Sequence, residues 1–125
     1  MLGNEGQAAT VAKLLAPADA ANTAAATSSW VDVRDAEGDL VFVNEVGVIT
    51  AGGIVWTIEH ASDDQGTGAA AITPTEGAYA AVTAGTVQKR TVPAGAVAGW
   101  VRCKGTITTG PVQCSASLLY RKKYV

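Results

Sequence analysis

From Trp30 onward, short β-branched runs alternate with turn residues, and this feature constrains the fold more than any other. Apolar and polar residues alternate in "WVDVR" (30–34), and the runs 40–49 and 54–62 are rich in valine and isoleucine. The same region lacks the sustained 3.6-residue period of a long helix. Short strands separated by about 8 to 12 residues predict an all-β domain, either an antiparallel β-sandwich or a jelly-roll-like barrel.

Turn residues indicate how these runs connect. Gly52 and Gly53 stand between runs 40–49 and 54–62, which predicts a hairpin. Ile54, Trp56 and Ile58 share one face of the second run, so Trp56 is expected in the core. Further strands are expected around 79–82 and 87–92, the longest loop at 63–78 and a final hairpin over 97–121.

The final hairpin would contain both cysteines of the chain, Cys103 and Cys114. Strand alternation puts both on its apolar face. A four-residue loop at 107–110 would place them opposite each other, whereas a two-residue turn at 109–110 would place Cys114 opposite Gly105. A redox pair normally has Cys-x-x-Cys spacing, and a zinc site would need His60, the sole histidine, and a carboxylate as well. Buried thiols without a metal are therefore expected.

Other catalytic patterns are weaker still. His60 is followed by "ASDDQGTG", which contains no nucleophile-elbow sequence. Asp63 and Asp64 resemble only a fragment of a calcium-binding loop. Phosphate-binding glycine loops of the Gly-x-x-x-x-Gly-Lys type do not occur. We expect a protein that is not an enzyme and uses no cofactor.

The first 29 residues differ from the rest, being rich in alanine, threonine and serine with one small apolar cluster at Val11, Leu14 and Leu15. They predict an extended N-terminal arm (1–29) ahead of a β-sandwich domain (30–125). Neither an apolar run of membrane-spanning length nor a basic region followed by a hydrophobic leader is present, so membrane association is not expected.

Charge is distributed unevenly along the chain. Residues 1–84 hold all eleven acids with only Lys13 and Arg34, whereas residues 85–125 hold seven bases and no acid. Either strands of the two halves interleave and the charges mix, or the surface has opposed poles suited to docking. Nucleic acid is a weaker partner, because the chain is acidic overall and lacks an aromatic platform among its bases. The core is built from small side chains, with seven aromatic residues in 125, which favours association with other chains.

Four segments occur in an order that resembles small head proteins of tailed bacteriophages. They are "TVAKLLAPADAANTAAATSSWVDV", "EGDLVFVNEVG", "GGIVWTIEHASDDQGTGAA" and "GWVRCKGTITTGPVQCSASLLYRKKYV". The resemblance implies a capsid decoration, or head cement, protein that is made in the host cytoplasm and coats the outer surface of the virion. Its implied partner is the major capsid protein, and it implies a homo-oligomer, with a trimer favoured over a dimer.

On this interpretation, contacts with the capsid or with other subunits are made at both ends of the chain. The expected contact residues are Val11, Lys13, Leu14 and Leu15 in the arm, with Arg121, Lys122 and Lys123 as a polar rim. The alternative hypothesis is a ligand- or glycan-binding β-sandwich module on the virion surface. Its sugar-stacking candidates are Trp30, Trp56 and Trp100, of which Trp56 is better placed in the core.

Overall fold

The structure of the protein, a computed structural model, describes residues 10–20 and 25–123. The elements in these ranges are β1 (Thr10–Ala20), β2 (Ala25–Thr27), β3 (Val31–Asp32), β4 (Ala36–Ile49), β5 (Gly52–Ala61), β6 (Ala70–Ile72), β7 (Thr86–Pro93), the short 3-10 helix η1 (Ala94–Ala96), β8 (Trp100–Thr109) and β9 (Val112–Lys122). Strands dominate the described ranges, where no α-helix occurs. The all-β prediction is confirmed.

The strands form two antiparallel sheets that face each other. Sheet A has the order β1-β9-β4-β7, and sheet B has the order β2-β8-β5-β6, with β3 also pairing with β8. Side chains from the inner faces of both sheets fill the space between them. The largest fully buried ones are Trp56, Phe42, Leu40, Ile54, Ile58 and Leu118. The predicted antiparallel β-sandwich and the core position of Trp56 are therefore confirmed.

Both predicted hairpins are wrong. β4 lies in sheet A and β5 in sheet B, and likewise β9 lies in sheet A and β8 in sheet B, so each short connection crosses from one sheet to the other. The two crossings are hydrogen-bonded together, since the Thr50 amide donates to the Pro111 carbonyl (3.1 Å) and the Gly110 amide to the Ala51 carbonyl (2.8 Å). β4 then pairs with β9 and β5 with β8. Cys103 and Cys114 accordingly belong to opposite sheets.

A glycine makes the first crossing possible. Gly52 has a φ of +72°, and a Cβ atom there would lie 1.7 Å from the carbonyl oxygen of Thr108. An L-residue would meet both the left-handed backbone strain and this contact. The close approach of the two strands at this end of the sandwich therefore depends on the missing side chain.

Segment 73–82, called here the edge segment, closes one side of the sandwich. It runs along the outer edge of β7, where the Thr75 amide donates to the Thr91 carbonyl at 2.8 Å. It then reaches sheet B, where Val82 and Ile54 exchange backbone hydrogen bonds. The strand expected at 79–82 is thus a single bridge, and the loop expected at 63–78 contains the short strand β6. The strand expected at 87–92 is confirmed as part of β7.

The two halves of the chain interleave, as the first interpretation of the charge pattern predicted. Basic strands β7 and β9 flank the acidic β4 in sheet A, and β8 lies beside β5 in sheet B. Arg102 donates from Nε to Oε1 of Glu59 at 2.8 Å, and Arg121 lies opposite Glu37 in the β4–β9 register. Charges that are far apart in sequence therefore become neighbours.

Candidate contact surfaces

Both predicted contact segments lie on neighbouring strands at one edge of sheet A. β1 pairs with β9, with Val11 opposite Leu119 and Lys13 opposite Ser117, and β9 continues to Arg121 and Lys122. Leu14 is only 5% exposed and belongs to the core, which accounts for its apolar character without an external contact. The side chains of Val11, Lys13 and Leu15 lie outside the described residues. Their contact role and the arm boundary at residue 29 stay predictions.

The basic residues at the end of β9 do not form a uniformly basic patch. Arg121 and Lys123 are exposed and Lys122 is half-buried. Glu37 and Asp39 line the same depression as Arg121, and Asp32 and Asp35 line another with Lys123. We call this region the charged end; it comprises Asp32, Arg34, Asp35, Glu37, Asp39, Arg121, Lys122 and Lys123. Arg34 binds the Asp32 carboxylate at 2.7 Å, and this hydrogen bond lowers the pKa of Asp32. The charged end can thus offer charges of both signs to a neighbour.

An open depression adjoins the charged end on the outer face of sheet A. The β4–β9 register shifts between Glu37 and Val41, so the backbone of β4 bulges there. Val41 and Leu119, which are half-buried, contribute apolar lining, while Glu37, Asp39 and Arg121 supply the charges. The depression is therefore amphipathic and lies beside the β1–β9 pair.

The outer face of sheet B carries two tryptophan–arginine pairs. The Arg102 guanidinium lies 4.4 Å from the ring centroid of Trp30, and that of Arg34 lies 5.4 Å from Trp100. Each ring thus has an arginine of its own over one face, which leaves less of it for a sugar. Tryptophan and arginine are enriched at the centres of protein interfaces, so this face is a second candidate contact surface.

Sequence reasoning missed the role of these arginines, although a signal for it exists. Trp100 and Arg102 alternate with the buried Val101 and Cys103, which puts both on the outer face of β8. The partner ring of Trp30, however, comes from the segment before β3. Only the pairing of β3 with β8 brings that ring beside Arg102.

A buried polar chain joins the two sheets. The Tyr79 hydroxyl donates to Oδ1 of Asn44 at 2.5 Å, and Nδ2 of Asn44 donates to Sγ of Cys103 at 3.6 Å. Cys103 in turn exchanges hydrogen bonds with Ser28, donating its amide to Oγ (3.0 Å) and accepting from the Ser28 amide (2.9 Å). Burial raises the pKa of the Cys103 thiol to about 12 and also raises the pKa of Tyr79. This thiol is therefore protonated and structural at neutral pH.

The remaining chemistry-bearing residues also have structural partners. His60 accepts a hydrogen bond at Nδ1 from the Ala98 amide (3.0 Å), and Asp63 accepts at Oδ1 from the amides of Gln65 (2.9 Å) and Thr67 (3.0 Å). Cys103 and Cys114 are both buried, with no disulfide between them. Within the described ranges, no three residues of the His, Cys, Asp and Glu types are grouped to hold a metal ion. Nor do those ranges contain a helix long and apolar enough to span a membrane.

Comparison with known proteins yields a structural similarity without a family. No family model matches the chain, and no curated protein matches it. Among solved structures, the chain is similar to one from "Crystal structure of the T13 IBDV viral particle reveals a missing link in icosahedral viruses evolution", with a TM-score of 0.40 and 15% sequence identity. That alignment covers 91% of this chain and 31% of the other, so this chain spans about a third of its length.

Proposed function

We propose that this protein is a structural component of a virus particle that binds the outer surface of the capsid lattice and stabilises the shell. The observation that carries the proposal is the pairing of β1 with β9, which unites the two predicted contact segments at one edge of sheet A. The order of its sequence segments, which resembles that of small phage head proteins, supports the same function.

The two sides of the sandwich differ in a way that suits this role. The edge segment covers the outer edge of β7 with backbone and side-chain hydrogen bonds, including one from Nε2 of Gln88 to the Ala80 carbonyl (3.2 Å). In the described part of the chain, no strand pairs with the outer edge of β1. Such an edge can accept a strand from a neighbouring protein. Pro17 lacks an amide hydrogen, so the stretch 10–15 is better suited to that pairing.

Charge and repetition would strengthen an otherwise weak contact. Arg121 and Lys123 follow Tyr120, the last β9 residue paired with β1 in the described part of the chain, and can meet acids on a capsid subunit, which favours correct orientation. A copy that touches two neighbouring subunits is bound by linked contacts, so its release is slower than from either contact alone. Because the protein binds the assembled shell in preference to its separated subunits, mass action stabilises the shell.

The proposed role is not enzymatic. Two side chains that could have reacted, His60 and Cys103, each take part in a hydrogen bond that stabilises the fold. We propose that the protein acts by binding, through shape and charge, with no covalent step.

Heating of capsid shells tests the proposal. Shells of the encoding virus, assembled without this protein, are heated alone and with saturating protein, and the disruption temperature is expected to rise with saturation at a regular stoichiometry. Arg121→Glu is expected to weaken binding, whereas Lys89→Glu, the same charge reversal at an exposed position of β7, should leave it near wild type. Absence of binding to such shells would refute the proposal.

The alternative of a glycan-binding module stays a prediction with its own test. Retention on glycan columns that is lost in Trp100→Ala would support it. The arginine over one face of that ring leaves the other face as the stacking position.

A further inference from the structure

Charges are segregated along the strand axis of the sandwich. Eight charged residues gather at the charged end. At the opposite end, where the β4–β5 and β8–β9 connections cross between the sheets, residues 46–53, 82–87 and 107–112 contain no charged residue. We call this region the uncharged end. It consists mainly of valine, threonine, glycine and alanine.

Exposed apolar side chains concentrate at the uncharged end. Val48 and Val87 are each 63% exposed, and Val55, at 39%, lies next to this end on sheet B. These three are the large apolar side chains that the described ranges leave exposed. Val46 of β4 pairs with Thr86 of β7 at this end of sheet A. Val48 lies two residues after Val46, and Val87 lies next to Thr86. The two valines therefore belong to the same corner of sheet A.

The uncharged end is also well ordered by hydrogen bonds. The two crossings bond to each other through Thr50 and Gly110, and Val82 bonds to Ile54 in both directions at 2.9 and 3.0 Å. Gly85 lies against Gly47, where an added Cβ would be 3.2 Å from the Gly47 carbonyl oxygen. A surface held in this way loses little conformational entropy when it binds, which favours association.

We infer that copies of this protein associate through the uncharged end, which lies near the rotation axis of a homo-oligomer. Near such an axis each side chain faces the same side chain of a symmetry-related copy. A charged side chain there would be repelled by the like charge of the other copy. Removing the eight charges of the charged end from water would also cost more than burying threonine and valine. The nearest charges are Glu45, opposite Val87, and Asp19, whose backbone pairs with Gln113; both belong to the rim of the contact.

This surface is separate from the β1 edge proposed for the capsid. Val48 and Val87 lie at the β4–β7 side of sheet A, and β1 lies at its other side. A copy could therefore bind a second copy and the shell at once. Association of copies does not depend on shell binding, so the two proposals fail independently.

Sedimentation equilibrium of the full chain over a wide concentration range tests the inference. The wild type is expected to be a dimer or trimer, and the double variant Val48→Lys with Val87→Lys should associate at least about tenfold more weakly, because like charges then face each other. The control Ala96→Lys with Ala98→Lys adds the same charge at exposed positions away from the uncharged end and should associate like the wild type. The double variant Val48→Thr with Val87→Thr, which adds no charge, should weaken association less than the lysine double variant does.

Three results would overturn the inference. The first is a wild type that stays monomeric at every concentration. The second is a lysine double variant that keeps the wild-type circular dichroism spectrum and associates equally well. The third is a lysine double variant that remains oligomeric and loses only shell binding, which would assign the uncharged end to the capsid. A lysine variant that unfolds is replaced by the threonine variant, whose unchanged association would count equally against the inference.

Discussion

The hydroxyl of Tyr79 donates a hydrogen bond to Oδ1 of Asn44 at 2.5 Å inside the sandwich. Asn44 is fully buried on β4 and also donates to Cys103 on β8. Tyr79 belongs to the edge segment, and Cys103 is bonded to Ser28 in the N-terminal part of the chain. The hydrogen bonds of Asn44 and Cys103 together thus connect the edge segment, both sheets and the root of the predicted arm.

Tyr79→Phe should destabilise the fold by about 1–3 kcal/mol, because Oδ1 of Asn44 would stay buried without its donor. Urea denaturation measures the loss. Tyr120→Phe is the matched control, since Tyr120 is equally buried at 7% and, among the side chains that the structure describes, none forms a hydrogen bond with its hydroxyl. Equal losses in the two variants would argue against a special role for the Tyr79–Asn44 bond.

Stability should fall at alkaline pH because of the same chain of residues. Burial raises the pKa of Cys103 from 9.0 to about 12, so between these values the unfolded state loses a proton that the folded state keeps. The free energy of unfolding therefore decreases as pH rises through this window, by up to about 1.4 kcal/mol per pH unit for one proton. Burial raises the pKa of Tyr79 as well, which adds to the fall above its ordinary value of 10.0.

Denaturation of the wild type and of Cys103→Ser between pH 8 and 11 checks the alkaline effect. The serine hydroxyl does not titrate in this range, so the variant should show a shallower dependence on pH, whatever its stability at pH 8. Parallel curves for the two proteins would show that Cys103 does not cause the loss.

Gly52→Ala should be much more damaging than Gly38→Ala. Both glycines have a φ of +72°, so each substitution carries a similar backbone strain of about 1–2 kcal/mol. A Cβ at position 52 also meets the Thr108 carbonyl, whereas nothing lies within 4 Å of one at position 38. Thermal unfolding should show an added cost of about 1–3 kcal/mol for Gly52→Ala. Matching melting temperatures would mean that the crossing relaxes without cost.

Acid should loosen the attachment of the edge segment to β7. The Glu76 carboxylate accepts from the Thr91 amide and hydroxyl, both at 2.7 Å, and these hydrogen bonds lower its pKa. Because the pKa is lower in the folded than in the unfolded protein, these hydrogen bonds stabilise the fold at pH values above the ordinary carboxyl pKa. This stabilisation is lost as pH falls through the pKa of the folded state. The NMR chemical shift of the Thr91 amide should change with pH as Glu76 titrates, and this pH dependence should disappear in Glu76→Gln. The control Glu45→Gln should leave this pH dependence unchanged. If the pH dependence survives in Glu76→Gln, another group causes it.

Much of the strand pattern could be predicted from local sequence. The alternation in 54–59 correctly indicated that Ile54, Trp56 and Ile58 face the core, because the pleat of a strand turns successive side chains to opposite faces wherever that strand pairs. Burial of Cys103 and Cys114 followed from the same rule. The contact role of the two end segments was predicted from composition and stays a prediction, whereas their adjacency in the fold depends on a pairing between residues about a hundred positions apart.

Strand partners required the tertiary structure. Gly52 and Gly53 suit a hairpin turn as well as a crossing between sheets, and both arrangements keep Ile54 and Trp56 on an apolar face. The choice depends on β8 and β9, which supply the edges to which β5 and β4 bond. The sequence by itself thus determined strands, faces and the amount of charge, whereas tertiary structure decided their pairing and the separation of a charged end from an uncharged one. The physical reason is that side-chain alternation is a local property of the backbone, while sheet hydrogen bonds join residues distant in the chain.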